Sequence, residues 1–163
     1  MIIITTQCFH PQIGGIEALM TGMAEAMSEF GKDVLVVADG QIIETDNLQN
    51  YKIKRFNNWK PVRRLKKARH INYVCKTKKI EAIYADSWKS IEYLTKIDVP
   101  IYVLAHGTEI QKNFNSWNFY KHIKQVRIYN SYMNANKIAA NSNYTKELLI
   151  ESLDIDRHKI REI

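Results

Sequence analysis

The sequence predicts an α/β fold, a central open parallel sheet flanked by helices, and three observations lead there. Short β-branched runs alternate with longer stretches of helical spacing along the 163 residues. Several of those runs are apolar throughout instead of alternating, as strands covered on both faces are. The composition, 45% hydrophobic and 25% charged, is that of an ordinary globular domain of a size that suits a single core.

The strands expected from the runs are "IIITT" (2–6), "DVLVVA" (33–38), "YKIKRF" (51–56), "IEAIYA" (80–85), "PIYVLA" (100–105) and "NKIAA" (136–140). Helical spacing fills the gaps at 16–30, 61–79, 88–96, 117–134 and 143–152. In the first helix Ile16, Leu19, Met20, Met23, Ala24 and Met27 fall on one face, and Gly31 stops it. The second places Val62, Leu65, Ala68 and Ile71 on an inner side and its many cations on an outer one. The fourth carries an aromatic and aliphatic stripe, Trp117, Phe119, Tyr120, Ile123, Val126, Tyr129, Tyr132 and Met133, expected to be mostly core, with Trp117 and Phe119, close to the loop at 105–109, as the two that could instead cover a bound substrate or touch a membrane. Ser142 or Asn143 caps the last helix. The segment "DIDRHKIREI" closes on what reads as the beginning of another strand, so the expectation is a fragment of something longer.

Composition narrows the classes of function. Cys8 and Cys75 stand far apart with no CxxC or Cys/His spacing, so neither a zinc site nor a disulfide framework is indicated. The N-terminus lacks the basic-then-apolar order of a secretory signal, and no apolar run approaches the ~18 residues of a membrane span. The expectation is a cytoplasmic protein with reduced thiols. The net charge of +7 is concentrated, with twelve basic and no acidic residues between Lys52 and Lys79. Such a face draws anionic lipid headgroups, and Arg63, Arg64 and Lys67 are the residues expected to meet a membrane or a lipid-phosphate acceptor at the inner membrane face. No helix-turn-helix, RNA-recognition or zinc motif supports a nucleic-acid partner.

Candidate chemistry collects at the ends of the expected strands. Gly14-Gly15 lies between the first strand and first helix, where free N–H groups and the helix dipole favour an anion such as phosphate. The stretch is neither GxGxxG nor GxxxxGK[ST]. "AHGTE" (105–109) puts His106, Thr108 and Glu109 at the end of a central strand, suited to hydrogen bonding a polyhydroxylated ligand or to proton transfer. "YADSW" (84–88) and "AANSNYT" (139–145) add Asp86, Ser87, Asn141 and Ser142 to the same rim if the strands are parallel.

Taken in order, these pieces resemble the family-four retaining glycosyltransferases of GT-B fold. "FHPQIGGIE" is similar to their F-x-P-x-x-G-G-x-E opening, "IYADSW" to an H-x-H-S-W strand end, "AHGTE" to the H-G-[TD]-E loop, and "KIAANSNYTKELL" to the segment closing their N-terminal domain. The resemblance covers nearly the whole chain and implies one Rossmann-like, acceptor-side domain over 1–163, with the nucleotide-sugar domain absent. It implies a nucleotide-diphosphate sugar as donor, a glycan or lipid-phosphate acceptor, no metal and no further cofactor. Gly14 and Gly15 would approach the donor pyrophosphate or the acceptor, His106 would be catalytic beside the donor sugar, and Glu17, Asp86, Thr108, Glu109 and Ser142 would bind substrate. Tyr84 and Asp86 stand where the family has histidines. The E-x7-E element of the second domain is missing, since Glu17 and Glu25 match its spacing only on the first helix. The expected enzyme is therefore a retaining transferase when full length and inactive as this fragment. A non-catalytic Rossmann-type nucleotide- or anion-binding domain, and half of a GT-B nucleotide-sugar epimerase, remain the competing readings.

Overall fold

The computed structural model describes residues 1–95, 97–110 and 119–163. In chain order they form β1 (Ile2–Thr6), α1 (Gly15–Glu29), β2 (Val34–Asp39), β3 (Lys52–Phe56), α2 (Lys60–Thr77), β4 (Ala82–Ala85), α3 (Trp88–Ile91), β5 (Ile101–Ala105), α4 (Phe119–Met133), β6 (Lys137–Ala140), α5 (Asn143–Leu153) and β7 (Ile160–Glu162). The strands make one sheet in the order β3-β2-β1-β4-β5-β6-β7, and every neighbouring pair is parallel. Each expected strand forms within two residues of its expected bounds, and "KIREI" supplies the seventh. This is the open Rossmann-like α/β sheet that the alternation of runs predicts.

Parallel strands joined by helices all point the same way, so their carboxyl ends share one edge of the sheet. The order turns back at β1, with β2 and β3 to one side and β4 to β7 to the other. The loops after β1 and β4 therefore flank the switch point where such sheets hold ligands.

The two faces of the sheet are covered unequally. On one, Ile3, Val37, Ile83, Val103 and Ile138 pack beneath α2, α3, α4 and α5 in the larger core. On the other, Ile2, Ile4, Val34 and Val36 pack beneath α1 alone, through Met20 and Ala24. α1 closes as expected: Gly31 takes φ 77°, the left-handed conformation that glycine adopts without strain, and its N–H donates to the Ser28 carbonyl.

Four local expectations are corrected. α3 spans only Trp88–Ile91 where 88–96 was expected, because Thr95, Ile97 and Val99 are β-branched, poor helix formers ahead of Pro100. α4 buries Gln125, Ile128, Ser131 and Tyr132, while Phe119, Tyr120, Ile123, Val126, Tyr129 and Met133 stay exposed, so the stripe expected as core is mostly surface. Trp117 lies outside the described residues. β5 is not covered on both faces: its residues alternate between buried and half-exposed, with Tyr102 and Leu104 on the open side.

The fourth correction concerns α2. Its buried residues are Lys67, Ala68, Ile71 and Val74, whereas Val62 and Leu65 are exposed. The inner stripe follows the 3.6-residue helical period back from Val74 and Ile71 to Lys67, which turns Arg63 and Arg64 inward as well. α2 begins at the carboxyl edge of the sheet, where acidic side chains meet those cations. Arg63, Arg64 and Lys67 are thus internal partners of the fold, not a face presented to a membrane, while Lys66, Arg69 and Lys76 remain exposed.

Candidate functional site at the carboxyl edge of the sheet

The loop from β1 to α1 is tied down from three directions. From α2, Lys67 Nζ donates to the Thr6 carbonyl at 2.6 Å and to Asp39 Oδ1 at 2.9 Å, while Arg63 Nε lies 2.8 Å from Asp39 Oδ2. Burial pushes the Lys67 ammonium below its usual range, opposed by the nearby charges of Asp39 and Asp86. From β4, Asp86 Oδ2 accepts the Gln7 N–H at 2.7 Å and the Thr6 hydroxyl at 2.9 Å. From β3, Arg55 makes a two-pronged pair with Asp46 at 2.7 and 2.8 Å, donates to the His10 carbonyl and lies over the Phe9 ring. Each anchor fixes backbone, so the loop is held in one arrangement.

Asp86 was expected to bind substrate. Its side chain is buried, and its second oxygen accepts the hydroxyls of Ser87 at 3.2 Å and Ser90 at 2.6 Å. With four donors converging on two oxygens, the carboxylate is used up inside the protein. Its carbonyl oxygen does the outward work: His106 Nε2 lies 2.9 Å from it. A carbonyl only accepts, so Nε2 carries the hydrogen and neutral His106 keeps Nδ1 as an acceptor. His106 itself is half-buried at the end of β5.

Past His106 the chain runs directly against α5. A Cβ on Gly107 would stand 2.8 Å from Thr145 Oγ1, a distance that side chains do not tolerate, so glycine is needed for this approach. Thr145 in turn bonds Asn141 Oδ1 at 2.7 Å, and Ser142 caps α5 by accepting the Thr145 N–H at 3.2 Å. Ser142 is thus partly occupied as a helix cap, the bland role that its position allowed. Thr108 is exposed. Glu109 Oε1 pairs with Lys89 Nζ at 2.8 Å, which directs one oxygen toward α3.

Gly14 and Gly15 differ from each other. Gly14 caps α1 in extended backbone open to any residue, and the carboxylate of Glu17 folds back over it: Glu17 Oε2 lies 2.3 Å from the point a Cβ would occupy. Around Gly15 a Cβ would meet nothing within 4 Å. A shallow hollow of about 200 Å³ lies here, lined by His10, Gln12, Gly14, Glu17 and Thr21 among others. Glu17 therefore sits at the positive end of the α1 dipole, where an anionic ligand would go. Burial first, then the nearby carboxylates of Asp86, Glu17 and Asp39, push the Cys8 thiol up to about 11. The thiol stays protonated at neutral pH.

The edge thus gathers the ends of β2 (Asp39), β1 (Thr6 to Cys8), β4 (Asp86), β5 (His106, Gly107) and β6 (Asn141, Ser142), with Gly14 and Glu17 opening α1. Sequence reasoning missed Asp39, Lys67 as a clamp, and the Arg55–Asp46 pair, because each is a charged residue whose partner lies at least nine positions away. Among the described residues, no three His, Cys, Asp or Glu side chains are grouped to hold a metal ion, and no helix is long and apolar enough to cross a membrane.

Comparison with solved structures places this fold in a wider group. A glycosyltransferase from Rickettsia africae superposes at a TM-score of 0.61 with 18% identity, over 99% of this chain and 42% of that one. Anabaena HepE, solved with UDP and glucose, gives 0.65 at 13% identity, over 100% of this chain and 44% of the other. The UDP-GlcNAc 2-epimerase of Methanocaldococcus jannaschii gives 0.65 at 16%, over 100% and 45%. At these identities the likeness is one of fold, that of a GT-B N-terminal domain, and the chain spans less than half the length of each of these three. No curated protein sequence matches it. The sequence profile of Glycosyltransferase Family 4 matches residues 13–163, from the loop before α1 through β7, and the chain belongs to that family.

Proposed function

We propose that the chain is the N-terminal, acceptor-side domain of a retaining glycosyltransferase, which moves a sugar from a nucleotide-diphosphate sugar to a glycan or lipid-linked acceptor in cell-surface polysaccharide or glycolipid synthesis. In the reaction the bond from the sugar's anomeric carbon to the diphosphate breaks and a bond to an acceptor hydroxyl oxygen forms on the same face. The hydroxyl proton leaves, and the nucleoside diphosphate departs.

The observation that carries this reading is the shared rim, with His106 braced on the Asp86 carbonyl beside a loop held from three sides. In this reading His106 Nδ1 accepts from a sugar hydroxyl near the reacting carbon, and Thr108 and Glu109 extend the polar wall. The N–H groups at Gly14 and Gly15 receive the pyrophosphate after the Glu17 carboxylate swings away from Gly14. The lipid-facing part of the reading belongs to α4, which exposes Phe119, Ile123, Val126, Tyr129 and Met133 and has no acidic residue.

UDP-glucose is a suitable first probe, since HepE was solved with UDP and glucose. Titrating it while following backbone amide NMR signals should shift Gly14, Gly15, His106 and Gly107. Shifts confined elsewhere, or none, would count against the site. In a protein that joins this chain to a nucleotide-sugar domain, the product's anomeric configuration, read by NMR, should match the donor's. Conversion of UDP-GlcNAc without any acceptor would favour the epimerase reading, which the Methanocaldococcus neighbour keeps in play.

A further inference from the structure

Arg55, Arg63, Arg64 and Lys67 are the cations of the Lys52–Lys79 stretch that turn inward, each to a carboxylate. The outer face of α2 keeps a second set. Lys66, Arg69 and Lys76 are exposed, and among the described residues none of them has a carboxylate within ion-pair distance. Their spacing puts them in one row with Val62 and Tyr73, since positions 62, 66, 69, 73 and 76 fall within about 80° of arc at 3.6 residues per turn. The row runs roughly 21 Å along the helix at 1.5 Å per residue. It starts at the carboxyl edge of the sheet, because α2 follows the end of β3 and returns to the start of β4. Trp59 stands just ahead of that start. It is 77% exposed and Tyr73 is 64% exposed, so an aromatic ring is open to a partner at the edge and another between Arg69 and Lys76.

Spacing and charge select the partner. A small anion reaches one or two of these side chains, whereas a chain with repeated acid groups meets the whole row and releases a counterion at each contact. A helix lying in a membrane surface needs an apolar face turned to lipid. In α2 that face is already buried in the core through Ala68, Ile71 and Val74, and Val62 and Leu65, the exposed aliphatics, are confined to the first two turns. A second copy of this chain would set cations against cations on a protein of net charge +7. We infer that the outer face of α2 is a track for an anionic glycan, a sugar chain whose acid groups pair with Lys66, Arg69 and Lys76 and whose rings lie on Tyr73 and Trp59. The track leads the chain to the carboxyl edge. This rests on the reading of the protein as the acceptor-side domain of a transferase, and it makes the acceptor an acidic polysaccharide.

The test reads binding on α2 alone, so a failure of the UDP-glucose experiment at the rim does not decide it. The probes are an oligogalacturonate, a neutral malto-oligosaccharide of the same length, oligouridylate and phosphatidylglycerol vesicles. Calorimetric titration should show the galacturonate chain binding at least about ten-fold more tightly than the neutral one, with a preference that shrinks as salt is raised. Amide shifts should map to Lys66, Arg69, Tyr73 and Lys76. The triple substitution Lys66→Glu, Arg69→Glu and Lys76→Glu should remove the preference and leave the melting temperature unchanged, because these side chains hold no other part of the fold. Tyr73→Ala should weaken galacturonate binding several-fold. Equal affinity for the acidic and neutral chains, no binding, shifts mapped elsewhere, or a triple variant that keeps the preference would overturn the inference. So would oligouridylate or the vesicles binding more tightly than galacturonate through these same residues, since nucleic acid or lipid would then be the partner.

Discussion

Lys67 Nζ stands 2.6 Å from the carbonyl oxygen of Thr6, so a cation carried by α2 holds the last residue of β1 in place. The same ammonium neutralises Asp39, and the group is buried. Removing the charge leaves a carbonyl and half of an ion pair without their donor. Lys67→Met is therefore expected to lower unfolding stability by about 2–4 kcal/mol, measured by urea denaturation. A loss below about 0.5 kcal/mol would show that the clamp contributes little.

Asp86 works in the same loop from the opposite side. Asp86→Ala strands the Gln7 N–H and the hydroxyls of Ser87 and Ser90, while Thr6 keeps the Cys8 carbonyl, and an expected cost of about 2–4 kcal/mol follows from unpaired buried donors. Amide exchange at Gln7, in the loop, should quicken more than at Val36 in β2, a comparison that separates loop release from global loosening. Equal acceleration at both would assign Asp86 a global role.

The three glycines near the rim should behave differently. Gly107→Ala presses a methyl group onto Thr145 and should cost about 1–3 kcal/mol through strain at the start of α5. Gly15→Ala meets nothing and should be neutral or stabilising by up to about 1 kcal/mol. Gly14→Ala displaces only the end of the flexible Glu17 side chain. Thermal unfolding of the three variants tests the ranking, and weaker UDP-glucose binding by a fully stable Gly15→Ala would tie that position to ligand and not to folding.

Acid sensitivity should trace to the Arg55–Asp46 pair. Burial alone would raise the Asp46 carboxyl, but the Arg55 hydrogen bond, the Ile43 N–H and the guanidinium charge together hold it below the usual carboxylate range. Its folded value lies under its unfolded one. The stability it contributes is thus fully present above the unfolded range of about 3.9 and is lost as pH falls through the lower folded value. Urea midpoints followed from pH 6 downward should decline in that window, and Asp46→Asn should be less stable at pH 6 and flatter below it. Parallel slopes in the two proteins would place the acid-sensitive group elsewhere.

Lipid contact is expected on α4 and not on α2. Replacing Phe119 and Ile123 with serine should reduce sedimentation with anionic phosphatidylglycerol vesicles by roughly ten-fold, on the scale of apolar side chains withdrawn from an interface. The exposed positions should leave thermal stability unchanged. Undiminished vesicle binding would remove the membrane from the proposal.

The strands were readable because parallel strands buried between layers need unbroken apolar runs, and "IIITT" and "DVLVVA" have no other economical reading. The open face was not readable: "PIYVLA" carries Tyr102 and Leu104 on its uncovered side, and both are as apolar as a covered strand requires. "VRRLKKA" reads as a solvated face until Asp39 and Glu92 are known to stand opposite, and both are fixed by other elements. The loop positions His106 and Gly14 were legible from glycine and histidine at strand ends. What holds them, the paired charges of Lys67 with Asp39 and Arg55 with Asp46, depends on partners 28 and 9 positions apart.

Both outer strands of the sheet carry charge. β3 presents Lys52 and Lys54 to solvent, and β7 presents Arg161 and Glu162. An unpaired strand margin invites lateral growth with another molecule, and ionised side chains there make such growth costly. The charges on these two strands thereby oppose ribbon-like assembly along them.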